Sequence, residues 1–294
     1  MTKARGTALG LFAILSWSCY GSLIAANGAT PPFLSMAIVF SFATATLLAR
    51  RLVTGGGIRD AFAVPLPTLA LGFTGLFGSN CFYVLALSLG GNPVPVNIAS
   101  LSWPGLMAVF IVAFGVARAT WLDGLAMVFG FAGVATLVSK GGGISFDPPV
   151  LVAILAATSW AIYSALRTRV PAGPRDSMVA FVATSGLACW AIALGFETLN
   201  APAIEILRLA AVGILPVGLA NLAWDFGARH GDPVLLAGLS FMEPLFSTAL
   251  IAWLLSRPVG PSDAVALALV LAAVLCSIMS ERLRRRLASR PEAA

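Results

Sequence analysis

Long apolar stretches alternate along the chain with short polar joints rich in glycine and proline. A helix needs about 20 apolar residues to cross the hydrocarbon core of a bilayer, and runs of about 18 or more are the sign of one. Ten such runs can be drawn: Gly6 to Ala26, Phe33 to Ala49, Leu66 to Leu89, Pro93 to Val116, Trp121 to Val138, Val150 to Leu166, Ser177 to Phe196, Ile206 to Gly227, Pro233 to Leu255 and Pro261 to Ser280. The joints carry helix-breaking chemistry, with Gly55-Gly56-Gly57, Gly90-Gly91, Gly141-Gly142-Gly143 and the segment from Pro171 to Pro174 between runs. The pattern predicts an all-α membrane protein of ten transmembrane helices.

Composition removes the alternatives. Of 294 residues, 59% are hydrophobic and 10% charged, and the mean hydropathy is +0.94. A soluble domain carries roughly 25% charged residues, and a disordered chain needs high charge and few apolar groups. Ten spans use roughly 200 positions, which leaves no room for a sizeable soluble domain. The first run follows Lys3 and Arg5 as a signal peptide would, but it exceeds the usual core of about 7–15 residues, so it is expected to stay. Cys19, Cys81, Cys189 and Cys276 all fall inside apolar runs without metal-ligand spacing and read as small hydrophobes.

The net charge is +6, and its placement says more than its size. With ten spans and the N-terminus inside, 15 of the 18 Lys and Arg residues lie on the cytoplasmic side. Only Lys140, Arg208 and Arg257 lie outside. This bias puts both termini in the cytoplasm. The basic tail Arg282, Arg284, Arg285, Arg286 and Arg290 directly follows a span, so it reads as a cytoplasmic anchor; no nucleic-acid partner is expected.

The two halves repeat. Ser16-Trp17-Ser18-Cys19-Tyr20 matches Ser159-Trp160-Ala161-Ile162-Tyr163 at an offset of 143. Asn80-Cys81-Phe82-Tyr83 matches Asn221-Leu222-Ala223-Trp224 at 141, and Ser100-Leu101-Ser102-Trp103-Pro104 matches Ser240-Phe241-Met242-Glu243-Pro244 at 140. Residues 1–140 and 141–294 then form two five-helix repeats. Five is odd, so the second half enters the membrane upside down. Such an inverted repeat commonly builds alternating-access transporters, with the substrate near midplane between the halves. A duplicated scaffold without transport is the competing reading.

These features resemble the drug/metabolite transporter superfamily in its ten-helix EamA-type branch, and within it the bacterial aromatic amino-acid exporters. The resemblance rests on the tryptophan in the first helix of each half, Asn-x-x-aromatic in the third and Ser-x-x-x-Pro in the fourth, and covers essentially the whole chain. It implies a multi-pass transporter of the bacterial inner membrane. One departure stands out: the branch often has Glu shortly after the fourth helix of a repeat, where this chain has Arg118 and Arg257.

The middles of the spans hold unusual chemistry. Trp121 and Trp253 fall near helix ends, where indoles sit in the interfacial belt. Trp17, Trp103, Trp160 and Trp224 lie mid-span, where an indole N–H needs a partner that lipid cannot supply. They point to a lined cavity, with interhelical packing as the bland alternative. Trp17 and Tyr20, Trp160 and Tyr163, Asn80 and Tyr83, and Asn221 and Trp224 are each spaced i, i+3 on one face. Asn97, Ser100 and Trp103 share a stripe, as do Ser240, Glu243 and Ser247. Asn80 and Asn221 also fit interhelical hydrogen-bond glue. Pro104 and Pro244 are read as kinks near the centres of their spans, each freeing the carbonyl four residues back, at Ser100 and Ser240. They serve either as hinges or as structural kinks. Pro216 has no proline counterpart in the third span, so its kink is expected to break the symmetry. Glu243 is the one acid placed at midplane, where a charge costs about 3 kcal/mol. Three roles stay open for it: accepting a substrate ammonium, carrying a coupling proton, or donating a structural hydrogen bond.

All eighteen basic residues lie at span ends or in joints. A phosphorylated cargo would want fixed cations and is disfavoured. Rings, amides and hydroxyls suit a small amphipathic molecule bearing an ammonium, with Asn80, Asn221 and serine hydroxyls for its carboxylate. The expected function is amino-acid export, aromatic and other large neutral ones preferred; another amphipathic metabolite or an aromatic drug cation is the alternative. No catalytic, cofactor or metal motif is present, the one histidine being His230 in a joint. Partners are the substrate and the lipid bilayer, and a monomer is compatible with two halves in one chain.

Overall fold

A computed structural model describes residues 3–90, 92–115, 120–138, 147–166, 169–171, 177–224 and 242–288. Every regular element among them is helical. Prolines start many of the helices, since their missing N–H falls where a helix has no partner for it. Pro32, Pro148 and Pro261 open α2 (Pro32–Val53), α9 (Pro148–Leu166) and α13 (Pro261–Ala288). Pro93 opens α6 (Pro93–Ser100), where Asn92 caps the first turn by accepting from Val94 N at 3.0 Å. The remaining helices are α1 (Lys3–Ala25), α3 (Ile58–Phe62), α4 (Leu66–Phe73), α5 (Ser79–Ser88), α7 (Trp103–Ala113), α8 (Trp121–Val138), α10 (Met178–Phe196), α11 (Ala203–Val212) and α12 (Met242–Leu254).

Among the described residues, 7 helices are long and apolar enough to cross a membrane. They include Leu66–Ser88, which joins α4 to α5, and Ala203–Trp224, which continues α11. Trp121–Gly133 and Glu243–Leu254 are shorter apolar helices. Most expected edges hold within a few residues. The last helix, however, runs on to Ala288 and takes in Arg282 and Arg284, and α2 runs on through Arg50 and Arg51. The Gly141 to Gly143 joint, His230 and the first part of the ninth apolar run lie outside the described residues.

Two expectations about helix distortion are corrected. The fourth run is not one helix kinked at Pro104. It breaks after Ser100, with turns at Leu101 and Ser102, and Pro104 takes the second position of α7. At that place a missing N–H costs no interior hydrogen bond. Pro244 falls in the helix described from Met242 onward, and Ser240, whose carbonyl it was expected to free, lies outside the described residues. Nor is the distortion at Pro216 without a counterpart. It sits in a π-helical turn, Gly213–Leu219, and the third run carries its own π-helical turn, Thr74–Gly78, without a proline.

Small residues let these helices approach, as they do where lipid removes the hydrophobic drive between helices. A Cβ at Gly75 would stand 2.5 Å from Tyr163 Cγ, and one at Gly78 2.5 Å from Ser159 Oγ, so α9 lies flush on the π-turn. Gly72 meets the ring of Phe181 in the same way. Phe40 of α2 and Phe181 of α10 are fully buried in one continuous core. Cys81 and Cys189 meet in it as free thiols, Sγ to Sγ 3.3 Å. Trp121 and Trp253, near helix ends as expected, are 67% and 76% exposed.

Polar groups secure both ends of the bundle. Asp123 of α8, 1% exposed, accepts from Thr120 N at 2.7 Å, Ser280 Oγ at 2.7 Å and Arg284 Nη1 at 2.8 Å, the last two from α13. Glu205 of α11 accepts from the backbone N–H groups of Gly28, Ala29 and Thr30 at 3.1, 3.1 and 2.8 Å. Glu197, capping α10, accepts from Phe33 N and Leu34 N at 3.0 and 2.7 Å, at the start of α2.

Candidate functional site

A cavity of about 160 Å³ opens where α1, α5, the α6–α7 break, α9 and α12 converge. Helical spacing explains the wall contributed by each. Trp17, Tyr20 and Gly21 lie on one face of α1, Ser79, Asn80 and Tyr83 on α5, and Ala156 and Trp160 one turn apart on α9. The break supplies Asn97, Ser100, Leu101 and Trp103, and α12 supplies Ser247. Among the described lining residues none is charged.

Two tyrosine–amide pairs form the polar floor. Tyr20 OH donates to Asn80 Oδ1 at 2.7 Å, and Tyr83 OH donates to Asn97 Oδ1 at 3.1 Å. Their rings lie 5.7 Å apart. Asn97 is 3% exposed and ties three helices together: its Oδ1 also accepts from Ser247 Oγ at 3.2 Å, and its Nδ2 donates to Thr248 Oγ1 at 3.3 Å. Gly21 makes room for the pair, since a Cβ there would stand 2.7 Å from both Asn97 Oδ1 and Tyr83 OH.

The Asn80 and Asn221 amide groups serve their own helices. Asn80 Nδ2 donates to Leu76 O, and Asn221 Nδ2 to Val217 O, both at 2.8 Å and both inside a π-turn. A π-turn disturbs the regular ladder and leaves carbonyls to be satisfied another way. Each asparagine fills that need four residues back.

The indoles form the remaining walls. Trp103 and Trp160 meet edge to face at 6.5 Å and 85°. Among the described residues neither indole N–H has a hydrogen-bond partner. Trp17 Nε1 donates to Pro216 O at 3.0 Å, and its ring leans on Trp224 at 5.4 Å.

Of the residues expected at the site, Trp17, Tyr20, Asn80, Tyr83, Ser100, Trp103 and Trp160 line this cavity. Trp224 stands behind Trp17, Tyr163 lies against Gly75 and Trp160, and Asn221 follows the second π-turn and bonds back to Val217 O within it. Glu243 occupies the first turn of α12, one turn before Ser247, outside the set of lining residues. Ser240 lies outside the described residues. Gly21, Ser79, Asn97, Leu101, Ala156 and Ser247 complete the walls. Asn97 and Ser247 were readable from the polar stripes of their spans; the small residues carry no such signal.

Comparison with known proteins agrees with this architecture. Residues 148–279 match the EamA-like transporter family. Over 277 residues the chain is 32% identical to the "Aromatic amino acid exporter YddG" of Ancylobacter novellus, covering 92% of this chain and 95% of that protein. The protein of the same name from Escherichia coli is 26% identical over 285 residues, covering 88% of this chain and 92% of its own. A solved crystal structure, 30% identical, superposes with a TM-score of 0.69 over 98% of this chain and all of that one. With 32% identity over nearly the full length of one such exporter and a family match over residues 148–279, the chain belongs to the EamA-like transporter family.

Proposed function

We propose that this transporter exports amino acids, aromatic and other large neutral ones preferred, across the bacterial inner membrane by alternating access. The observation that carries the reading is the cavity itself. About 160 Å³ is enclosed by three indoles, two phenols and two amides, with no charged side chain among its described walls. A dry cavity of roughly 150 Å³ takes up a benzene-sized molecule, so the space suits one aromatic or branched side chain. The unpartnered N–H groups of Trp103 and Trp160 are the donors on offer to a carboxylate, and the ring faces of Trp160 and Tyr20 attract an ammonium. A drug cation finds no carboxylate among the described residues of these walls. The relatives named as aromatic amino-acid exporters support the same cargo.

The architecture proposed is ten helices in two inverted halves, 1–140 and 141–294, with both termini cytoplasmic, working as a monomer. Its support is the way elements pair. α2 packs on α10 and α8 on α13, which stand at equal places in the two halves, and α1 packs on α12 much as α9 packs on α6 and α7. Both π-turns precede the asparagine of their half. Asp123 accepts from Thr120 N and Asp263 from Gly260 N, one cap repeated at an offset of 140.

The test is counterflow in proteoliposomes with a radiolabelled amino-acid panel. Phe, Trp, Tyr and Leu are expected to exchange well above Lys, Arg and Glu. Trp103→Ala and Trp160→Ala are expected to abolish exchange in protein that still elutes as a single species. Flux equal to protein-free vesicles for every amino acid, or flux of organic cations alone, overturns the cargo.

A further inference from the structure

The residues around the two π-turns repeat, but their contacts do not. In the second half, the N–H of Ala220 reaches back to Leu215 O. The carbonyl of Pro216 is left for a side chain, and Trp17 Nε1 takes it at 3.0 Å. In the first half, the positions equivalent at an offset of 141 are Ser79, Thr74 and Gly75. There the N–H of Ser79 already closes on Gly75 O and Leu76 O. Trp160, the counterpart of Trp17, makes no hydrogen bond there; both indoles line the cavity, and in the first half it is the ring of Tyr163 that lies on Gly75. Tyr20, the counterpart of Tyr163, bonds to Asn80 in the cavity wall.

The two halves thus hold one local structure in two arrangements that differ by a one-residue step of a backbone hydrogen bond. An inverted repeat reaches its opposite-facing state when its halves trade conformations. We propose that the two π-turns are the elements that trade. In the opposite state, Trp160 Nε1 donates to Gly75 O while Ser79 N–H passes to Thr74 O. At the same time Ala220 N–H closes on Pro216 O and frees the Trp17 N–H, whose ring already lines the cavity. Trp17 and Trp160 are then positioning residues that bias the two states in opposite directions. The inference rests on the inverted-repeat reading of the proposed function. Its physical sense is that one indole N–H always covers a carbonyl at membrane depth, where an unsatisfied one is costly, and the other is free to meet cargo.

The experiment uses the full-length chain with its four cysteines replaced and Ser100→Cys as a reporter in the cavity. A membrane-impermeant thiol reagent is applied to vesicles of each orientation, and the ratio of the two labelling rates reads the balance of states. Trp17→Phe keeps an aromatic ring and removes the donor. It is expected to move the ratio about fivefold away from the present state, the size of one neutral hydrogen bond. Trp160→Phe is expected to move it a similar amount the other way, and the double variant to return near the parent. Shifts in the same direction, or no shift in either, overturn the exchange. If a phenylalanine variant does not fold, a benzothienylalanine residue at the same site keeps the bicyclic ring without the N–H and must give the same signs. A parent reporter labelled from one side only, even during exchange, defeats the alternating-access reading itself. Labelling from both sides with unmoved variants defeats the exchange alone.

Discussion

Asn97 on α6 donates its amide to Thr248 on α12 at 3.3 Å, joining the broken fourth span to a helix 151 residues later. The same side chain accepts from Tyr83 and Ser247. Asn97→Ala removes the hydrogen bonds to three side-chain partners at a site 3% exposed. A buried polar group left without its partner costs about 1–3 kcal/mol. The variant is expected to lose about 2 kcal/mol of stability and most of its transport. Paired with Thr248→Ala in a double-mutant cycle, the two losses are expected to fall short of additive by about 1 kcal/mol. Thermal unfolding in detergent measures this, and strict additivity would show the contact to be idle.

Gly21 is the tightest point of the polar floor. A methyl group there stands 2.7 Å from Asn97 Oδ1 and from Tyr83 OH, and 3.0 Å from Ile251 Cδ1, so something must move. Overpacking of this kind costs about 1–3 kcal/mol. Gly21→Ala is expected to lower the transport rate at least tenfold, and Gly21→Val to abolish it. Gly195→Ala is the control: nothing lies within 4 Å of its would-be Cβ, and surface changes of that kind fall within about 0.5 kcal/mol. Equal behaviour of the two glycines in counterflow would remove the packing argument.

Much of the cavity was readable from the sequence, because helical spacing alone puts Trp17 with Tyr20 and Asn80 with Tyr83 on single faces. The π-turns were not. A one-residue widening of a helix leaves the run of apolar residues unbroken, and only Pro216 marks one of the two. The break of the fourth span was signalled by Pro104, but sequence does not say whether a proline kinks a helix or starts a new one; here it stands second in α7. The grip of Glu197 and Glu205 on the start of α2 was invisible for another reason. Their partners are backbone N–H groups up to 177 residues away, which carry no residue signature. The aspartate caps went unread although they carry a signal, since Asp123 and Asp263 repeat at 140, two residues into their helices.

Asp123 and Arg284 form an ion pair whose side chains are 2% and 15% exposed, so neutralising Asp123 takes the α8 carboxylate away from a largely buried guanidinium. Breaking a buried pair costs about 3–5 kcal/mol, whereas replacing both partners is often close to neutral. Asp123→Asn is therefore expected to lower the unfolding temperature sharply, and Asp123→Asn with Arg284→Met to recover most of the loss. The surviving hydrogen bonds to Ser280 and Thr120 set a floor under the single variant. Because the pair is buried, the loss is expected to change little between low and high salt. A double variant as unstable as the sum of its parts would show that α8 and α13 are held by something other than this pair.

Glu205 holds the joint between α1 and α2 through three backbone N–H groups and the Thr30 hydroxyl. Bonds to a carboxylate are roughly twice as strong as neutral ones, and all four point at acceptors. In Glu205→Gln one acceptor becomes a donor that faces another donor. The expected cost is about 2 kcal/mol, concentrated at Gly28, Ala29 and Thr30. Amide exchange of those three residues is expected to quicken by about tenfold or more, while the cores of α2 and α10 exchange as before. Glu197→Gln acts one step on, at Phe33 N and Leu34 N, where the N-terminal end of α2 favours a negative charge. It is expected to loosen the first turn of α2 and leave the Gly28 to Thr30 joint unchanged. The two substitutions therefore separate in place, and a uniform rise in exchange along α2 from either one would mean that the carboxylates support the whole helix rather than its entry.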